Sequence, residues 1–322
     1  MLIYAGIDEA GYGPMLGPLC VAATAFMIHD HDDSAPPPDL WERLHTAVGR
    51  EKRDAKRRIA IDDSKKLKGA KTGKAHPLLH LERGVLAFGG EVFDLPAHDD
   101  AYFTALGATV EDETWMDSQT ELPVAQTADE IRLLGGRLRR CLESAGVEIG
   151  LMQCETICPA DFNAGVEKFG SKAVVNLSAA LRLAEAVRKK WPEADPTIVV
   201  DRQSGRMRYY DEMRMGWPEA TIKVVSESPE ESRYRLEVGT QTLDIRYLKE
   251  AENHHLPVAL ASMVAKYTRE LAMVRLNRFF QGHLPELKPT AGYVTDARRY
   301  LQEIDPVLRS FGIERQRLAR SV

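Results

Sequence analysis

Acidic side chains stand where short apolar segments of this chain end. Asp8 and Glu9 close residues 2–7, Asp201 closes residues 197–200, and Glu252 precedes the long apolar stripe of residues 256–280. Carboxylates drawn together from distant segments make a site of hard oxygen donors, which suits Mg²⁺ or Mn²⁺. Two such ions, about 3.5–4 Å apart, promote phosphodiester hydrolysis by lowering the pKa of an attacking water and stabilising the leaving oxygen. Singly, an acid after a strand is more often a cap or a solvated turn; the joint occurrence is what points to catalysis. Adjacent strand residues face opposite ways, so Asp8 and Glu9 reach one site only if the chain bends after Asp8. Gly6, Gly11 and Gly13 would allow that bend.

A polyanionic substrate has to be drawn toward acids that repel it. The formal net charge is −5, which is not the basic footprint of most nucleic-acid binders. The distribution is more telling. Residues 50–74 hold eleven Lys and Arg against four acids, and Arg202, Arg206, Arg208 and Arg214 interleave with Tyr209 and Tyr210. A basic run alone is usually a solvated face, but beside carboxylates it can supply the attraction that phosphates need. A protein that only bound nucleic acid would gain nothing from clustered carboxylates, so an enzyme is favoured over a non-hydrolytic binder.

The elements that must hold these acids are legible in outline. Residues 2–8 and 19–27 read as adjacent buried strands, joined by a turn containing Gly11-Tyr12-Gly13-Pro14 and Gly17-Pro18. Residues 29–47, with Pro36-Pro37-Pro38, read as a surface excursion. Residues 175–191 place Leu177, Ala180, Leu181, Ala184 and Val187 on one helical face, with Asn176 as cap and Pro192 as stop. Residues 129–145 are helical. Residues 196–201 and 243–248 read as strands, and residues 221–226 and 233–238 as a hairpin around Ser228-Pro229-Glu230. A long helix over 256–280 and a smaller one over 296–303 follow. This order predicts an α/β protein, a mixed sheet with helices on its faces. One domain is expected over 1–322, with insertions near 97–147 and 205–240 and a C-terminal helical part from about 281. No apolar run approaches the ~20 residues of a membrane helix, and the N-terminus lacks a signal-peptide pattern. A cytoplasmic monomer with no membrane partner is the expectation. Cys20, Cys141, Cys154 and Cys158 form neither a disulfide scaffold nor a zinc-ligand spacing, so reduced thiols are expected.

Ordered motifs add to this reading. Gly6-Ile7-Asp8-Glu9-Ala10-Gly11-Tyr12-Gly13-Pro14 resembles the opening motif of type 2 ribonucleases H, G-[IV]-D-E-[AV]-G-R-G-P, and Gly17-Pro18-Leu19-Cys20-Val21 continues it. Asp62-Asp63-Ser64-Lys65-Lys66-Leu67 is similar to the family block D-S-K-K-L. Thr197-Ile198-Val199-Val200-Asp201 is similar to its third acidic strand, Ala261-Ser262-Met263-Val264-Ala265-Lys266 to A-S-x-x-A-K, and Gly292-Tyr293-Val294-Thr295 to G-Y-x-T. All occur in the family's order, from residue 6 to about 300.

The resemblance implies a ribonuclease H-like fold and a metal-dependent endonuclease. Its substrate would be RNA–DNA hybrid or ribonucleotide-containing duplex DNA, and its products 3′-OH and 5′-phosphate ends. It makes Asp8, Glu9, Asp201 and Glu252 both catalytic residues and ligands to two Mg²⁺ or Mn²⁺ ions; Glu252 is the position reached by counting back from Ser262, where the type 3 branch carries Glu. It sets backbone groups of Gly11, Tyr12 and Gly13 against a ribose 2′-OH, which distinguishes RNA from DNA. Ser64 and Lys65 would meet a phosphate, and Tyr293 the sugar beyond the cleaved bond. The chain departs from the family pattern at Tyr12, where Arg is usual, at Arg202, where Gly is usual, and in its insertions. These departures bear on substrate choice, and a related nuclease with another structured nucleic-acid substrate is the alternative they leave open. His254 and His255, beside Glu252, are candidates for a proton shuttle but fit a turn better. Lys266 either pairs with a carboxylate of the site or is solvated.

Overall fold

Among the described residues the chain forms nine strands and six helices of ten or more residues. The structure, a computed structural model, describes residues 1–322 apart from 33, 69–74, 110–112, 204 and 322, and apart from the side chains of 55 and 56. The end of the basic run, 69–74, therefore lies outside the described residues. The strands are β1 (Leu2–Ala10), β2 (Leu19–Ile28), β3 (Val48–Gly49), β4 (Ile59–Ala60), β5 (Val147–Ile157), β6 (Thr197–Asp201), β7 (Thr221–Glu227), β8 (Glu231–Val238) and β9 (Gln241–Leu248). The helices are α1 (Leu79–Gly89), α2 (Ala128–Ser144), α3 (Pro159–Phe169), α4 (Lys172–Lys190), α5 (Leu256–His283) and α6 (Val294–Glu303).

The expected α/β architecture is the one observed. Seven strands form a mixed sheet in the order β5-β2-β1-β6-β9-β8-β7, and β3 and β4 form a separate parallel pair. Strands β1, β6 and β9 run parallel, whereas the pairings β1–β2, β2–β5, β7–β8 and β8–β9 are antiparallel. Central β1 and β2 are buried on both faces, as their nearly continuous apolar runs require. Edge strand β7 is largely exposed. Alternation sends Tyr4 to one core, with α1, α2 and α5, and Ile3, Ala5 and Ile7 to another, with α4.

Two sequence expectations need correction here. Residues 29–47 are not simply a surface excursion: Leu40, Trp41, Leu44 and Ala47 are buried, and Trp41 Nε1 donates to Ile61 O at 2.9 Å. The apolar residues were too few to show a period. Helix α4 starts at Lys172 with Ser171 as its cap, so Asn176 lies inside the helix and does not cap it.

Segment 97–147 is tied down by buried charge. Glu82 of α1 is fully buried and accepts backbone N–H groups of Val124 (2.6 Å), Ala125 (2.8 Å) and Gln126 (3.1 Å), as well as the Tyr267 hydroxyl (2.8 Å). Arg275 of α5 forms a buried ion pair with Asp99 and also reaches Asp100. Glu82→Gln keeps the shape but weakens a carboxylate that binds several donors at once. The expected loss is about 2 kcal/mol of stability, read by urea denaturation, together with faster amide exchange at residues 124–126. Unchanged stability and exchange would show that Glu82 is not what anchors this segment.

Candidate active site

The acids meet at the carboxyl ends of the parallel strands, the usual ligand position of open α/β sheets. The β1–β6 register ends at Ile7↔Val200, so Asp8 and Asp201 are the next residues on neighbouring parallel strands. Ile7 and Val200 belong to the α4-side core, so alternation points Asp8 and Asp201 to the α5 side. After β9 the chain turns at Glu250, whose φ is 53°, into a short helical turn, Ala251–Asn253, that carries Glu252. The Ala251 N–H donates to Asp201 Oδ1 at 2.8 Å, and this fixes Glu252 beside Asp201.

The bend expected after Asp8 is absent. β1 continues through Glu9↔Val21 to Ala10↔Cys20, and Glu9 turns toward α4. It still shares the field of the cluster, because β6 stops at Asp201 and leaves the edge of β1 open beyond Asp8. Asn176 faces Glu9 and favours its charged form, although neither carboxamide atom meets hydrogen-bond geometry among the described residues. A polar residue on the apolar face of α4 is the sequence signal for Asn176, whose expected role as a cap is taken by Ser171.

Electrostatics mark the cluster as strained. Asp8 is 7% exposed and Glu252 8%. Burial first, then Glu9 and Asp201, push the Asp8 carboxyl well above the usual range, against the Ser262 hydroxyl and the Glu9 N–H. Burial and then Glu252 raise Asp201 to about 8. Glu9 is also raised, chiefly by burial. Among the described residues Glu252 Oε2 is buried with no hydrogen-bond partner. Lys65 faces the group: burial opposes its charge, but Asp63, Asp8, Glu252 and Asp201 together hold it protonated. Ser262 Oγ donates to Ser64 Oγ at 3.0 Å, so two distant motifs meet next to Asp8. Among the described residues no group of three or more His, Cys, Asp or Glu side chains is arranged, as it stands, to hold a metal ion.

The glycine turn forms the second wall. Gly11 has φ +93°, and a Cβ there would lie 2.6 Å from Arg269 Nε and 2.8 Å from Pro18 O. Gly13 is exposed, with open space where a Cβ would stand. The backbone N–H groups of Met15 and Leu16 donate to Gly292 O at 2.7 and 3.1 Å, which brings Tyr293, 57% exposed, next to the turn. Two buried arginines clamp this junction: Arg269 Nη2 donates to Leu16 O (2.9 Å) and Ala291 O (3.1 Å), and Arg320 donates to Pro14 O. Neither role is evident from the sequence motifs. A charge among the apolar positions of α5 was the available signal for Arg269; Arg320, near the chain end, gave none.

Other candidates have different surroundings from those expected. Lys266 is bound to Glu270 (2.9 Å), which also takes Lys68 (2.6 Å), so it neither pairs with the acids nor is solvated. Arg202 is buried and donates to the carbonyls of Ser228 and Pro229, bracing the β7–β8 hairpin. His255 bonds the Tyr4 hydroxyl, and burial lowers its pKa to about 4, so it is neutral near pH 7 and structural. Tyr12 is half-buried, with Lys172 Nζ 5.1 Å from its ring centroid; burial and then Glu9 raise its hydroxyl pKa, against the nearby Arg206. The cysteines are free, as expected, and no described helix is long and apolar enough to cross a membrane.

No family model matches this chain, and no curated protein matches it. Several solved structures are similar. Ribonuclease HII from Archaeoglobus fulgidus, solved as a complex with PCNA, is 14% identical with TM-score 0.42, over 98% of this chain and 93% of that one. Bst ribonuclease HIII, solved in complex with Mn²⁺, is 14% identical with TM-score 0.43, over 99% of this chain and 66% of that one. Ribonuclease H2 from Pyrococcus horikoshii OT3 is 17% identical with TM-score 0.40, over 98% and 92%.

Proposed function

We propose that this protein is a divalent-metal-dependent endonuclease that cuts at ribonucleotides in RNA–DNA hybrid or in duplex DNA. The observation that carries the reading is the convergence of Asp8, Glu9, Asp201 and Glu252 into one buried group whose charges repel one another. Folding concentrates like charge in this way at a cost in stability, which marks a functional site more often than a structural one. The donor chemistry fits Mg²⁺ or Mn²⁺: the acids offer only oxygens, and Glu252 Oε2 is buried and unpartnered among the described residues. Asp8, Glu9, Asp201 and Glu252 would hold the ions. When bound, they would supply the charge that activates a water and stabilises the departing 3′-oxygen.

The chain's own residues orient the substrate. Lys65, kept protonated by the acids, pairs with a phosphate oxygen, and Ser64 steadies the same group through Ser262. The open backbone at Gly13 admits a ribose to hydrogen-bond distance, and Gly11 lets the turn lie against Arg269. Tyr293 offers an exposed ring to the next sugar. Lys172 and Arg206, both near Tyr12, replace only part of the cation missing at position 12, because Arg206 is already paired with Glu212.

The test is cleavage of three duplexes with and without Mg²⁺ or Mn²⁺: one embedded ribonucleotide, a long RNA–DNA hybrid, and plain DNA. The two RNA-containing duplexes are expected to be cut, the hybrid better, only with metal, and leaving 5′-phosphates. Tyr12→Arg is expected to raise cleavage at the single ribonucleotide about three- to tenfold relative to the hybrid, the value of roughly 1 kcal/mol from one added charged contact. Undiminished cleavage in excess chelator, or cleavage of plain DNA alone, would refute the function. Equal gains on both substrates would refute the role given to position 12.

A further inference from the structure

Away from the acids, α1 and α2 enclose a pocket of about 480 Å³ whose lining includes Lys52, His80, Arg83, Gln126, Glu130 and Arg137. Among the described residues three cations face one carboxylate there, and that carboxylate is already engaged: Glu130 accepts from the backbone N–H and hydroxyl of Thr127 at the start of α2. Neighbouring arginines of α2 have acidic partners, Arg132 with Asp129 and Arg139 with Glu91. Arg83 and Arg137 form no ion pair among the described residues. Among the described residues Arg83 Nε, His80 Nδ1 and the acceptor Gln126 Oε1 are buried without hydrogen-bond partners. Burial, and then Arg83 and Lys52, lower the His80 pKa, so its ring adds no positive charge near pH 7. Surplus cations beside an Arg83 Nε–H that has no partner among the described residues suit an anion.

Contacts lead from this pocket back to the acids. Lys65 faces Asp8, Glu252 and Asp201; Lys66 Nζ donates to Asn253 Oδ1 at 2.6 Å, next to Glu252; Lys52 Nζ donates to Lys68 O at 3.2 Å. A row of basic side chains, of which Lys66 and Lys68 are paired with Asp62 and Glu270, thus leads from the proposed active site to the pocket. A small free anion would need only the pocket, whereas cations at both ends of such a row suit a polymer of phosphates. Helix α2, from the segment read as an insertion, supplies Arg137.

We propose that this pocket binds a backbone phosphate of the same nucleic-acid duplex that the carboxylate site cuts. The proposal rests on the nuclease reading and extends it to a second point of grip. Its test is the binding of a labelled RNA–DNA duplex to the full chain in chelator, by fluorescence anisotropy over a range of salt. Arg137→Gln, which changes an exposed side chain, is expected to weaken binding about three- to tenfold and to reduce the slope of log affinity against log salt by about 0.9, one phosphate contact. Arg137→Lys should restore most of the slope, and Arg83→Gln should act as Arg137→Gln does, with thermal unfolding confirming that each variant folds. Wild-type slope and affinity in both Gln variants would overturn the pocket while leaving the nuclease reading intact. Lost binding of inorganic phosphate with duplex binding unchanged would make it a small-anion site and also overturn the proposal. A wild-type protein that neither binds nor cuts any duplex would overturn both readings.

Discussion

Asp201→Asn is expected to give a folded protein that is more stable than wild type in chelator and nearly inactive. Asn keeps the acceptor for the Ala251 N–H and removes the charge that burial and Glu252 disfavour. Cleavage should fall by at least about 10²–10³-fold, the scale on which one electrostatic partner of a reacting group matters. The wild-type protein should show the same strain as a pH dependence. Asp201 titrates near 8 in the folded state and near 3.8 when free. Between these values the native state holds a proton that the unfolded chain has released, so stability falls as pH rises from about 4 to 8 and levels beyond. Asp8, also raised, adds to the slope with the same sign. Asn at 201 should flatten the curve, and Mg²⁺ or Mn²⁺ should flatten it in the wild type. Urea titrations from pH 4 to 9 with chelator decide the matter: stability that rises with pH over this range would mean that the acids do not repel one another as described.

Gly6→Ala is expected to be the most disruptive Gly→Ala change among the described glycines. A Cβ at this position would lie 2.1 Å from Val258 N and 2.3 Å from the Pro257 carbonyl carbon. These are backbone atoms of the first turn of α5, so no rotamer change relieves the clash. Thr24 Oγ1 also donates to Pro257 O at 2.8 Å, which holds the same turn on β2. The cost should reach or exceed the upper end of overpacking, about 3 kcal/mol. Because α5 carries Ser262 and follows Glu252, moving it off β1 also separates Glu252 from Asp8. Soluble yield, thermal midpoint and cleavage should all drop. A variant with wild-type stability and activity would mean that β1 and α5 do not pack this closely. Gly11→Ala makes a useful comparison, since the blocking atom there belongs to the side chain of Arg269 as well as to the Pro18 backbone.

Local sequence carried much of this. Paired strands are readable where apolar runs and turn residues are dense, as in β1, β2, β6 and the β7–β8 hairpin, because alternation and turn chemistry are local properties. Long periodic helices were readable too, though α4 began three residues earlier than expected, since a Ser cap outside the apolar pattern set its start. The four acids could be picked out by type, by position at strand ends, and by the ordered motifs around them.

What sequence alone determined, then, is which residues are able to do chemistry and which segments are strands or helices. Tertiary structure decided which of those residues meet and what each one faces. Nothing local tells that β6 stops one residue short of Glu9's level, leaving Asp8 and Glu9 in one field without a bend. Nor does it tell that Lys266 goes to Glu270, Arg202 to a hairpin and His255 to Tyr4, while Asn176, Arg269 and Arg320 line or brace the site. A side chain's partner depends on contacts across hundreds of residues. The free energy of a buried charge depends on every group around it, and that arrangement exists only once the chain has folded.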